Sequence, residues 1–79
     1  MKVLGYNLLV EPIMAGGALR AKTNVGKVIH VGDWIEEGRI NQNDEIVFGD
    51  DFEEVDLKNS EGKTVRFYLM SLKNVKFIQ

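Results

Sequence analysis

The apolar residues of this chain recur at every second position in short blocks, and no window holds a helical period. That pattern limits the fold most, because side chains alternate between the two faces of a strand. In Val3 to Val10, Tyr6, Leu8 and Val10 share one face and Leu9 takes the other. Lys27 to Val31 is a β-branched block, and Glu45 to Phe48 is short and apolar. Phe52 to Lys58 alternates Val55 and Leu57 with Glu54, Asp56 and Lys58. Thr64 to Met70 aligns Val65, Phe67 and Leu69, and Asn74 to Ile78 closes the chain. The nearest approach to a helix is Met70 to Val75, one turn at most.

Turn chemistry separates the blocks: Gly32-Asp33, Glu37-Gly38, Asn41 to Asp44, Gly49 to Asp51, and Asn59 to Gly62. Pro12, the only proline, stands where the first strand must end. Short strands joined by tight turns predict an all-β fold, a small irregular barrel of antiparallel strands. At 79 residues there is one domain, spanning 1–79. A chain this small buries about 60% of its unfolded surface and ordinarily needs disulfides, a metal or oligomerisation. Cysteine is absent and His30 is the only histidine, so no disulfide and no four-ligand zinc site is expected. Oligomerisation remains.

Other function classes find little footing. Net charge is −2, and the bases of the first third (Lys2, Arg20, Lys22, Lys27) are too few and too spread to track phosphates. No nucleic-acid partner is expected. No apolar run reaches the roughly 20 residues a membrane helix needs, and residues 1–12 lack a signal-peptide cleavage site. These features and the missing cysteine predict a cytoplasmic protein with no membrane partner. Ser60 and Ser71 fall in turns without a claim on His30, which reads as a barrel residue. Asp50, Asp51, Glu53 and Glu54 lack the ligand spacing of a calcium loop and read as a solvated face. Gly16-Gly17 lacks the lysine and following helix of a phosphate loop. No catalytic set, cofactor site or metal site is expected, and the chain is read as a non-enzyme. Trp34 suits either a barrel cap or an interface.

Two features remain. The segment "IMAGGALRAKTNVG", from Ile13 to Gly26, is out of proportion to the other turns, and long loops in compact domains are usually functional or disordered. The terminal strands are apolar, and a strand at a sheet edge leaves N–H and C=O groups unpaired. They can pair within one chain. They can also pair between copies, which closes a ring if the rotation closes.

The order of these motifs resembles the GroES-type co-chaperonins over nearly the whole chain. "VLGYNLLVEP" is similar to the family's opening strand, and "AGGALR" to its mobile-loop signature. "GKVIHVG" fits the next strand. "NQNDEIVFGDDFEEVDL" followed by "YLMSLKNVKFI" resembles the remaining blocks and closing strand. The resemblance implies an irregular β-barrel assembled as a homoheptameric ring. Its first and last strands (here Leu4, Tyr6, Leu8, Val75 and Phe77) would pair between subunits. It also implies a lid for a large double-ring ATP-dependent chaperonin, docking through a mobile loop at about 13–25 by Gly16, Gly17, Ala18, Leu19 and Arg20. The chain departs from the family as a short, divergent member. Only Leu19 is bulky where three large aliphatics are usual. Asn43 stands for a glycine, and the roof hairpin, at about 33–39, is reduced. The alternative is a small structural or adaptor β-barrel, for example a viral assembly component, that binds no chaperonin.

Overall fold

The computed structural model describes residues 1–13 and 24–79. Among the described residues six strands form: β1 (Asn7–Pro12), β2 (Asn24–Val31), β3 (Glu45–Phe48), β4 (Phe52–Lys58), β5 (Thr64–Ser71) and β6 (Val75–Ile78). A single 3₁₀ turn, Leu72–Asn74, precedes β6, with Ser71 Oγ accepting from the Lys73 N–H. The strands make one sheet in the order β4-β5-β1-β2-β3-β6, with every pairing antiparallel. The fold is all-β, as the alternation predicts.

The sheet curls. β3 and β4 lie far apart in its order, yet Phe48 of β3 meets Phe52 of β4 and Tyr68 of β5 edge-on, at centroid distances of 5.7 and 5.9 Å. Phe52 and Tyr68 stack at 4.1 Å. Aromatic pairs favour these offset and edge-on arrangements. The corner at Gly49–Asp51 is held by Asn74, whose Nδ2 donates to Gly49 O and whose Oδ1 accepts from the Asp51 N–H. Asn24 Nδ2 donates to the same carbonyl.

Leu8, Val10, Val28, Ile46, Phe48 and Met70 form the core with Ile35 and Ile40. The last two come from the 33–39 region and its edge, where the resemblance implies a reduced hairpin. No strand forms there. Ile35 and Ile40 turn inward to close one end of the barrel, and the Arg39 N–H donates to Glu36 O in a tight turn. Burying two aliphatics contributes about 3–6 kcal/mol, at 1.5–3 for each, more than a short two-stranded ribbon exposed to water offers.

Asn43 has φ +75°, the left-handed conformation that asparagine tolerates where glycine is usual. Its N–H donates to Val28 O. The β4–β5 hairpin turns through Asn59, whose Oδ1 accepts from the N–H groups of Glu61 and Lys63. Arg66 lies opposite Asp56 in this ladder and near Glu54. The hydrogen bond that Arg66 donates to Asp56, and then the charge of Asp56, hold the Arg66 guanidinium above the usual arginine range. Among the described residues, no helix is long and apolar enough to cross a membrane.

Candidate assembly surface

The first strand starts later than the alternation predicts. Gly5 adopts φ +68° and breaks the extended chain, so residues 1–6 form an arm rather than the start of β1. Four bonds tie this arm and the start of β1 to the turn after β2: Asp33 N–H to Val3 O (3.2 Å), Trp34 N–H to Gly5 O (3.1 Å) and Gly5 N–H to Asp33 Oδ1 (2.8 Å) from the arm, and Gly32 N–H to Asn7 O (2.8 Å) from β1. A further N–H, from Leu72, reaches Tyr6 O. Lys2 Nζ lies 3.8 Å from Asp33 Oδ2. Val3 is buried. It lines a groove of about 320 Å³ with Leu9, Val55, Leu57 and Leu69, on the face of the sheet opposite the main core.

The break at Gly5 separates the expected interface residues. Leu4 and Tyr6 are 64% and 57% exposed, whereas Leu8 is fully buried in the core. Leu8 therefore offers no surface to another subunit, which corrects its assignment to the ring interface. β1 is also interior, paired to β2 on one side and β5 on the other. Alternation alone cannot reveal this, because it marks a face as apolar without saying what covers it.

β6 is the open edge. It pairs with β3 alone, in the register Ile46↔Ile78 and Val47↔Phe77, and does not pair with β1. The Gln79 N–H donates to Glu45 O across that ladder. Hydrogen-bonded and non-bonded pairs alternate along antiparallel strands. Phe77 therefore directs its backbone groups toward β3, while those of Ile78 point outward. Phe77 is 58% exposed and Ile78 is also exposed, while Val75 is half-buried against the core. Ile78 was not among the expected interface residues; its place on the open edge in the last strand is the signal for it. Trp34 is exposed beside the arm and caps no barrel end.

The loop's stem is ordered by pairing. Glu11↔Lys27 and Pro12↔Gly26 extend the β1–β2 ladder, and the Ile13 N–H donates to Val25 O at 2.9 Å. Asn24 and Val25 also pair with Phe48 and Val47. Both belong to β2 rather than to the loop, so the expected bounds of 13–25 are too wide. Gly16, Gly17, Ala18, Leu19 and Arg20 lie outside the described residues.

His30 is half-buried and lines an open cleft with Glu36 and Glu37. Among the described residues no three His, Cys, Asp or Glu side chains gather in a way that could hold a metal. Asp50 accepts from Asn24 Nδ2 and Glu54 pairs with Arg66, so the acidic stretch is divided between separate partners. The sequence matches no protein-family model and no curated protein.

Proposed function

We propose that this chain is the subunit of a ring-shaped co-chaperonin in the cytoplasm, a lid for a large double-ring ATP-dependent chaperonin. The observation that carries the reading is the pair of exposed apolar elements on one chain. An arm exposes Leu4 and Tyr6, and an edge strand exposes Phe77 and outward backbone groups. An arm of one copy laid along β6 of the next is a head-to-tail contact, which builds a closed ring when the rotation closes. Seven copies are the number the family resemblance implies. Leu4, Tyr6, Val75 and Phe77 stand at this contact.

The loop between β1 and β2 is the docking arm toward the chaperonin, through Gly16, Gly17, Ala18, Leu19 and Arg20. Burying Leu19 yields about 1.5–3 kcal/mol. Fixing the backbone of ten loop residues would cost roughly 10–20 kcal/mol of entropy, so one loop cannot hold the complex by its side chain. Backbone hydrogen bonds in a groove and effective concentrations on the order of mM after the first loop docks close the gap. Weak, repeated contacts suit a lid that leaves in each cycle. The lid does no chemistry of its own.

Native mass measurement of the purified chain at micromolar concentration tests the ring; only monomer or dimer would overturn it. ATP-dependent co-sedimentation with a chaperonin tests the docking. Leu19→Asp is expected to abolish co-sedimentation and leave the ring mass unchanged; unaltered binding would remove the loop from the mechanism.

A further inference from the structure

Trp34 is the only tryptophan in the chain and stands 68% exposed. It is nevertheless held in place. Its N–H donates to Gly5 O, and its ring meets Tyr6 edge-on at 5.7 Å. The ring also covers Gly5, where an added Cβ would lie 4.0 Å from Trp34 Cε3. The neighbouring Ile35 supplies the buried contact with the core, so Trp34 is not needed to close the barrel. Two aromatic rings that fix each other and turn their outer faces to water form a preorganised contact. Little rotamer freedom remains to be lost on binding, and tryptophan and tyrosine dominate interface hot spots.

We propose that Trp34, backed by Tyr6, is the anchor with which one copy of this chain grips β6 of a second copy. This rests on the assembly reading above and adds a residue from outside both terminal segments. Three observations select a second copy as the occupant. First, the bonds from Asp33 and Trp34 make the turn and the arm one surface, so whatever lies along the arm also meets the indole. Second, β6 carries exposed Phe77 and Ile78 beside outward backbone groups, an apolar strand paired with β3 on one side and with no strand on the other among the described residues. Third, the charges are complementary. The arm and the turn around Trp34 carry Asp33, Glu36 and Glu37 against Lys2 and Arg39, with Lys2 on Asp33, which leaves a small acidic excess at Glu36 and Glu37, whereas residues 72–79 carry Lys73 and Lys76 and no acidic side chain. Opposite signs across an interface favour the correct register and suppress like-with-like pairing.

The single tryptophan makes the test direct. The full chain is diluted in steps, and tryptophan emission and native mass are followed at each concentration. The emission maximum is expected to move to longer wavelength at the concentration where the oligomer dissociates. Trp34→Ala is expected to raise that concentration by about tenfold or more, with the far-ultraviolet circular dichroism of the dissociated chain unchanged. An oligomer whose emission is that of a water-exposed indole overturns the anchor and leaves the ring intact. A folded Trp34→Ala variant that assembles like the parent also overturns it. The emission readout needs no substitution, so misfolding of the variant does not block the test. Absence of any oligomer overturns the assembly reading itself, and the anchor with it.

Discussion

Replacing Gly32 with alanine probes how the arm is held. An added Cβ would lie 2.2 Å from Gly5 O, 2.6 Å from Asn7 O and 3.0 Å from Asn7 N. All three are backbone atoms, so no rotamer change relieves the clash. Ordinary carbon contacts sit at about 3.5–4.0 Å, so the arm and Asn7 at the start of β1 must withdraw by roughly an ångström, which takes bonds of 2.8–3.2 Å past the limit of a useful hydrogen bond. Four bonds are exposed to loss, at about 0.5–1.5 kcal/mol each. Re-exposing Val3 forfeits about 1.5–3 kcal/mol. The gross loss is thus about 3.5–9 kcal/mol. Release of residues 1–6 returns about 1–2 kcal/mol of backbone entropy per residue, roughly the same sum. Release therefore caps the net penalty, and we expect about 1–3 kcal/mol, against a total stability of about 4–12 kcal/mol for a chain of this length. Urea unfolding gives the penalty, and amide hydrogen exchange gives its location. Protection should fall at Gly5, Asp33 and Trp34 and persist at Ile13 and Gly49. An unchanged urea midpoint with full protection at the first three amides would refute the steric argument. Loss of protection throughout would refute the idea that the arm can detach by itself.

Substitutions at Asn43, Leu8 and Leu4 test the fold and the proposed interface. Asn43→Ala forces a Cβ-bearing residue without a local hydrogen-bonding side chain into φ +75° and is expected to cost about 1–2 kcal/mol; Asn43→Gly should match or exceed the parent in thermal unfolding. Leu8→Ala should cost about 2–5 kcal/mol of folding stability, measured by urea unfolding, because Leu8 is fully enclosed. Leu4→Ala should leave folding nearly unchanged and weaken assembly, so native mass and urea unfolding together separate the two leucines.

The middle of the chain was legible in the sequence. β3 and β4 fall on their apolar blocks and β5 ends one residue later, because these strands show clear alternation between recognisable turns. The single turn before β6 and the end of β1 at Pro12 were legible as well. What the alternation missed is tertiary in origin. Asn24 and Val25 look like loop and become strand only because Phe48 and Val47 lie beside them. Gly5 ends the first apolar run by a backbone angle that carries no hydropathy signal. Leu8 and Tyr6 share a predicted face but separate into core and surface at that break. The 33–39 segment offered turn residues, and Ile35 and Ile40 were needed by a barrel end visible only in three dimensions. For the proposed interface, the sequence could not distinguish a buried leucine, Leu8, from an exposed one, Leu4.

The two edges of the sheet carry unequal protection. β4 is long, and its exposed side chains, Glu53, Glu54, Asp56 and Lys58, are all charged, which blunts an edge against strand addition. β6 has one exposed charge, Lys76, between apolar neighbours. Indiscriminate strand addition is thereby suppressed at one end and left open at the other, which would give growth of the proposed assembly a direction. Under that proposal, a copy without neighbours keeps β6 as an aggregation-prone template, and its solubility would depend on how quickly that edge is covered after folding.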